Sequence, residues 1–250
     1  MDTFDCVFVL NLEKRQDRME RVTDILHYLQ IPFERFNAID SEVIAGLHKN
    51  LFYRNNETTI TRPGYLACVL SHLSIYKTAL DRGYKNALIL EDDILVHKDA
   101  KEHINTFMRN VPANWDMIYF GYLPLSEDLS YWSHDYFSIL EGNNNVFRAK
   151  GLWCTHAYAI NEKFMKDTID LYNKTPIEEW LEIDRYFVKQ QDMNFNTGGN
   201  NGNNKKNIYG CIPSLFGQYG SISDLTPGFF TEENEKKFIN AKFSCRQDFL

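Results

Sequence analysis

Two rhythms of apolar and polar positions run along this chain. Cys6 to Leu12 is a short, nearly unbroken apolar run, the pattern of a strand covered on both faces. From Lys14 the rhythm changes. Met19, Val22, Leu26 and Leu29 recur at spacings of three and four, which marks one face of a helix. Pro32 closes that helix, and Phe33 to Ile39 reads as a second strand. Strand, helix and strand in this order predict a parallel unit.

Residues 41–62 are polar and irregular, the pattern of a loop or short excursion. Pro63 stands where a first helical turn accepts proline, and Leu66, Val69, Leu70, Leu73 and Leu80 follow at helical spacing. Gly83 ends that helix, and Ala87–Leu90 is a third strand. A helix over Ala100–Met108 and a strand over Asp116–Phe120 come next. Leu123 to Lys150 is rich in aromatic, polar and turn residues, which predicts an inserted hairpin or substrate loop outside the core. Ala157–Ile160 reads as a short strand and Glu162–Leu171 as a helix. Thr175-Pro176-Ile177-Glu178 has the form of a capping box that opens a helix through Trp180, Ile183 and Phe187. Residues 194–207 are rich in asparagine and glycine and carry no apolar payload, so a mobile loop is expected there. The expectation is one α/β domain over residues 1–250, with a mixed, mostly parallel central sheet flanked by helices.

Composition narrows the partners. The chain has 250 residues, 44% of them hydrophobic, enough for a full core. Its net charge of −7 argues against a nucleic-acid partner. The five cysteines are odd in number and include no C-x-x-C pair, which argues against a zinc ribbon or a disulfide framework. Met1-Asp2-Thr3-Phe4-Asp5 starts acidic, without the form of a signal peptide, and no stretch is long and apolar enough for a transmembrane segment. A cytoplasmic placement is the expectation, with a removed leader left open.

The run Ala87-Leu88-Ile89-Leu90-Glu91-Asp92-Asp93 carries the strongest chemical signal. Ligands of open α/β sheets bind outside the carboxyl ends of strands. Three acids at such an end suit a hard divalent cation that carries phosphates. The competing reading is a solvated acidic turn after a core strand.

Several segments, in order along nearly the whole chain, resemble glycosyltransferase family 25, which includes bacterial lipooligosaccharide galactosyltransferases and collagen galactosyltransferases. They are Val7-Phe8-Val9-Leu10-Asn11-Leu12 running on to Arg18, Phe36-Asn37-Ala38-Ile39-Asp40, Pro63–His72 and Leu88–Asp93. Trp153–Ile160, Ile212–Gln218 and Ser223-Asp224 complete the set. The resemblance implies a GT-A-like nucleotide-binding fold. It also implies transfer of a sugar, galactose or glucose, from a UDP-sugar donor to a glycan or hydroxylated protein acceptor, with inversion. Mn2+ or Mg2+ is the expected cofactor. Tyr65 stands where the family usually has glutamate, and Ala67 where glycine is common.

Residue roles follow from the two readings together. Asp93 is the leading metal ligand, with Asp92 and His156 as further ligands. If the strand continues, Glu91 and Asp93 share a side and Asp92 points away. Asn11, Arg18, Ser71, His72, Glu91 and Asp92 are the candidates for binding the nucleotide sugar. Inversion needs a base for the acceptor hydroxyl, and Asp184 is the candidate; its alternative is a surface acid paired with Arg185 or Lys189. Trp132 and Trp153 are candidates to stack on acceptor sugar. For His72, His156 and the tryptophans, simple core packing is the competing reading. Two rival functions stand beside transfer: a non-catalytic sugar- or protein-binding module and a metal phosphohydrolase.

Overall fold

A computed structural model describes residues 3–47, 63–124, 137–139, 145–191 and 206–218. In chain order its elements are β1 (Cys6–Asn11), α1 (Gln16–Tyr28), β2 (Glu34–Asn37), α2 (Ser41–Leu47), α3 (Pro63–Asp81), β3 (Asn86–Glu91), β4 (Ile94–Val96), α4 (Ala100–Asn110), β5 (Met117–Pro124), β6 (Phe137–Ile139), β7 (Val146–Ala149), β8 (Leu152–Asn161), α5 (Glu162–Lys174), α6 (Ile183–Gln190), β9 (Ile208–Cys211) and β10 (Phe216–Gln218). Among the described residues, no helix is long and apolar enough to cross a membrane.

Eight strands form one sheet in the order β2-β1-β3-β8-β5-β9-β7-β6, and β4 pairs with β10 in a separate ribbon. Six of the eight strands share a direction, while β8 and β7 run against them. The sheet is thus mixed and mostly parallel, as expected. Alternation along the strands builds two cores. Phe8, Leu10, Ala87 and Ile89 pack with residues of α3, α5 and α6 on one face. Val7, Val9, Leu88 and Leu90 pack with residues of α1 and α4 on the other. Helix α1 buries the stripe its spacing prescribes, Met19, Val22 and Leu26, whereas on α3 Leu70, Leu73 and Leu80 are only partly buried.

Two helices stop by the same device. Gly83, at φ +78°, lets Gly83 N donate to Leu80 O and Tyr84 N to Ala79 O at the end of α3. After α1, Gln30 takes φ +53° and the matching bonds run from Gln30 N to His27 O and from Ile31 N to Leu26 O. The stop therefore precedes Pro32, which the sequence had suggested as the terminator.

Other expectations need correction. Part of the polar stretch after Asp40 is helical, with Ile44 of α2 buried. Of the segment after Leu123, β7 is not outside the core. Val146, Phe147 and Ala149 of β7 are buried, and β7 pairs with β9 inside the main sheet. Strand β8 is ten residues long, well beyond Ala157–Ile160. Thr175 opens no helix but closes α5 as its C-cap: its hydroxyl donates back to Leu171 O, and a 3-10 turn over Ile177–Glu179 is separated from α6 by extended backbone at Trp180. Most of the expected 194–207 loop lies outside the described residues, as do Trp132 and Ser223-Asp224.

Candidate functional site

The strand order 2-1-3 places a topological switch point at β1: one crossover leaves over α1, the next returns over α3. A cleft of about 120 Å³ opens at the carboxyl ends of these strands. Leu10 and Leu12 follow from β1, Ala38 and Ile39 from β2, and Glu91, Asp92 and Asp93 from β3. Arg18 on α1 and Ala67, Cys68 and Ser71 on α3 close its sides.

The strand ends at Glu91, so the three acids fan out. Glu91 turns toward α3. Its Oε1 accepts from Thr155 Oγ1 at 2.6 Å and lies 3.7 Å from His72 Nε2. Asp92 turns toward α1, where Oδ2 accepts from Asn11 Nδ2 at 2.6 Å and Oδ1 from Arg18 Nη1 at 3.1 Å. Arg21 secures the backbone of the turn through the carbonyls of Asp92 and Ile94. Asp93 Oδ2 lies 3.9 Å from Arg18, while Oδ1 is buried and has no hydrogen-bond partner among the described residues. Asp92 points away only if the strand continues, and the strand stops at Glu91. Asp92 does take the opposite side from Glu91, yet it still lines the cleft, with both oxygens committed to protein donors.

Burial and the charge of Glu91 push Asp93 up to about 7, against the pull of Arg18. Burial also raises Asp92, opposed by Asn11 and Arg18. For Glu91 burial works upward, but His72 and Thr155 outweigh it and leave the carboxyl below its usual range. The cleft therefore holds one well-stabilised carboxylate, one tied to Arg18 and Asn11, and one that lacks compensation.

Asp184 sits in the first turn of α6, half-buried, and accepts from Arg185 N at 2.7 Å. Burial, with repulsion from Glu182 and Glu91, raises it to about 6. Arg185 pairs with Glu182 at 3.0 Å rather than with Asp184. Asp184 does not line the cleft, but its charge and that of Glu91 act on each other.

Ser71 lines the cleft and also holds a structural place. Ser71 Oγ accepts from Ile39 N at 2.9 Å and donates to Ala67 O at 2.7 Å, which ties α3 to the chain after β2. His156 does not reach the cleft lining: it is buried, with Nε2 3.3 Å from Phe216 O. Trp153 is half-buried on β8, paired with Leu123 and away from the cleft. The sequence reading missed Thr155, Arg21, Tyr158 and Tyr76. For Thr155 and Tyr158 the relevance depends on which β8 residue opposes β3, and no pattern within a single strand reveals that register. A further group of ligand-type residues, His97, Asp99 and His103, brings its atoms within 4.8 Å after β4, although His97 Nδ1 already accepts from Asp99 N.

The uncompensated Oδ1 of Asp93, beside Glu91 at a strand end, is a donor set of the kind that takes a hard cation. The family model described as "Glycosyltransferase family 25 (LPS biosynthesis protein)" matches residues 4–187. Procollagen galactosyltransferase 1 of Danio rerio is 29% identical over 205 residues, covering 71% of this chain and 33% of that protein. Inactive glycosyltransferase 25 family member 3 of Homo sapiens is 27% identical over 205 residues, covering 77% of this chain and 33% of that protein. The chain thus spans about a third of the length of these curated relatives. Among solved structures, a mannose-1-phosphate geranyltransferase from Thermus thermophilus aligns over 85% of this chain and 74% of its own, with a TM-score of 0.42 and 13% identity.

Proposed function

Because the chain belongs to glycosyltransferase family 25, we propose that it transfers a sugar, galactose or glucose, from a UDP-linked donor to a hydroxyl of a glycan or hydroxylated protein, with inversion. The observation that carries this reading is the convergence of Glu91, Asp92 and Asp93 on one cleft at the β1/β3 switch point. Asp93, through an Oδ1 that has no hydrogen-bond partner among the described residues, would hold Mn2+ or Mg2+ together with Asp92. Such a cation supplies Lewis-acid stabilisation of the leaving diphosphate. Arg18 offers a fixed positive charge on the same side, already oriented by Asp92. The apolar wall of Leu10, Leu12, Ala38 and Ile39 excludes water from one side of the bound donor. Asp184 accepts the proton of the attacking hydroxyl, and its raised pKa keeps it a competent base near neutral pH.

The test is a panel of nucleotide sugars assayed for hydrolysis and transfer with and without manganese. Manganese-dependent turnover of a UDP-sugar supports the reading. Release of inorganic phosphate from simple phosphoesters, without sugar transfer, points to the phosphohydrolase instead.

One observation favours a second reading, a sugar- or protein-binding module without turnover. Ala67 lines the cleft and Tyr65 packs against the core close by, where the family usually has glycine and glutamate, and one relative is named as inactive. Binding of UDP and manganese with no turnover of any donor is the result that selects it.

A further inference from the structure

A chain of hydrogen-bonding groups runs through the core to the back of Glu91. Its Oε1 accepts from Thr155 Oγ1 at 2.6 Å and faces His72 Nε2 at 3.7 Å. The His72 ring is fully buried, and Nε2 makes no hydrogen bond among the described residues. The other ring nitrogen, Nδ1, lies 2.7 Å from the Tyr158 hydroxyl, which lies 2.6 Å from the Tyr76 hydroxyl. Both phenols are fully buried as well.

A neutral imidazole carries one N–H, and the partner of one nitrogen decides which nitrogen bears it. With the proton on Nδ1, a bare lone pair at Nε2 would confront the Glu91 carboxylate in a buried place, two acceptors without a donor. With the proton on Nε2, Nδ1 and the Tyr158 oxygen each accept from a donor, and the Nε2–H faces the carboxylate. Tyr76 O–H donates to the Tyr158 oxygen, Tyr158 O–H donates to Nδ1, and Nε2–H points at Glu91. Burial drives both phenols far above their usual range, so both remain O–H donors. The donors then converge on Oε1, while Oε2 has no protein partner among the described residues, on a side chain that lines the cleft.

We infer that Tyr158 is a positioning residue: through His72 it commits one oxygen of Glu91 to the protein and presents the other to the bound nucleotide. The inference rests on the cleft being the donor site proposed above.

The test uses the full chain and measures two things. Nitrogen NMR of histidine-labelled protein, with His72 assigned through His72→Gln, reports which ring nitrogen is protonated. Calorimetry with UDP and manganese reports uptake in the cleft. The expected wild-type ring has its proton on Nε2 and a bare Nδ1. Tyr158→Phe is expected to change that pattern and weaken UDP uptake by about tenfold. Tyr76→Phe removes an equally buried hydroxyl but leaves the Tyr158 donor in place, so its UDP uptake should stay close to wild type. A proton on Nδ1 in the wild-type ring overturns the inference, and so do equal losses in the two tyrosine variants. Unchanged uptake in Tyr158→Phe overturns it as well. A wild-type chain that takes up no UDP with manganese sinks the donor-site reading, while the imidazole spectra still decide the relay.

Discussion

Arg18 Nη1 lies 3.1 Å from Asp92 Oδ1, and both side chains are less than a tenth exposed. The contact joins α1 to the end of β3 across 74 positions of sequence. It also explains why Asp92 is the least available of the three acids: its second oxygen is taken by Asn11.

Arg18→Ala should leave that carboxylate buried without its counter-charge. Breaking a buried pair from one side destabilises by about 3–5 kcal/mol. Chemical denaturation of the metal-free protein measures it. A loss below about 1 kcal/mol, the range of exposed pairs, would mean that water already screens Asp92.

Asp93→Asn should remove manganese-dependent UDP uptake and spare the fold, because Asp93 Oδ1 has no hydrogen-bond partner among the described residues to lose. Manganese at roughly a hundred times its Kd should stabilise the wild-type chain by about 2.7 kcal/mol and leave the variant unmoved. Thermal denaturation with and without manganese decides this. Equal stabilisation of both proteins would take Asp93 out of the cation site.

Asp184→Asn should lower kcat by about 10²- to 10⁴-fold while UDP uptake persists. A base works ionised, so wild-type turnover should rise with pH through about 6, and the variant should lack that limb. Stability moves the other way. Folding raises this pKa, so the contribution of the neutral carboxyl is full below its unfolded value and fades as pH climbs through about 6. Denaturation on either side of that pH should show the variant gaining on wild type on the alkaline side.

Gly121→Ala tests the packing under the site. An added Cβ would stand 2.2 Å from His156 Nε2 and 2.7 Å from Phe216 O. One of those neighbours is backbone, so relief requires the β10 segment to move. A loss of about 1–3 kcal/mol is expected. Denaturation midpoints near wild type would show that β10 gives way freely.

The periodic stretches were legible in the sequence because unbroken apolar runs mark strands buried on both faces and apolar spacings of three and four mark helices: α1, α3, β1 and β3 lie where those patterns put them. The family resemblance was legible for another reason, the order of several short motifs. What escaped was everything set by register between distant strands. The ladder that pairs Leu90 with Ala157 brings Thr155 to Glu91 and the Tyr158 hydroxyl to His72, and neither strand's own pattern encodes the alignment. Phe147 was misread for a related cause. Its surroundings are polar, yet β7 is drawn into the sheet by β9, and Gly210 there leaves room for the Phe147 ring.

Strand β8 runs against its neighbours, so its opening residues, not its closing ones, arrive at the rim where β1 and β3 finish. The chain comes to that rim through Gly151, at φ +124°, and Cys154, at φ +86°. Two backbone positions at positive φ thus lie on the approach to Thr155, while the acids sit at the end of β3, a strand paired on both sides. Evolution or an engineer can recontour the mouth of this pocket by editing the approach to β8 and leave the charged floor untouched.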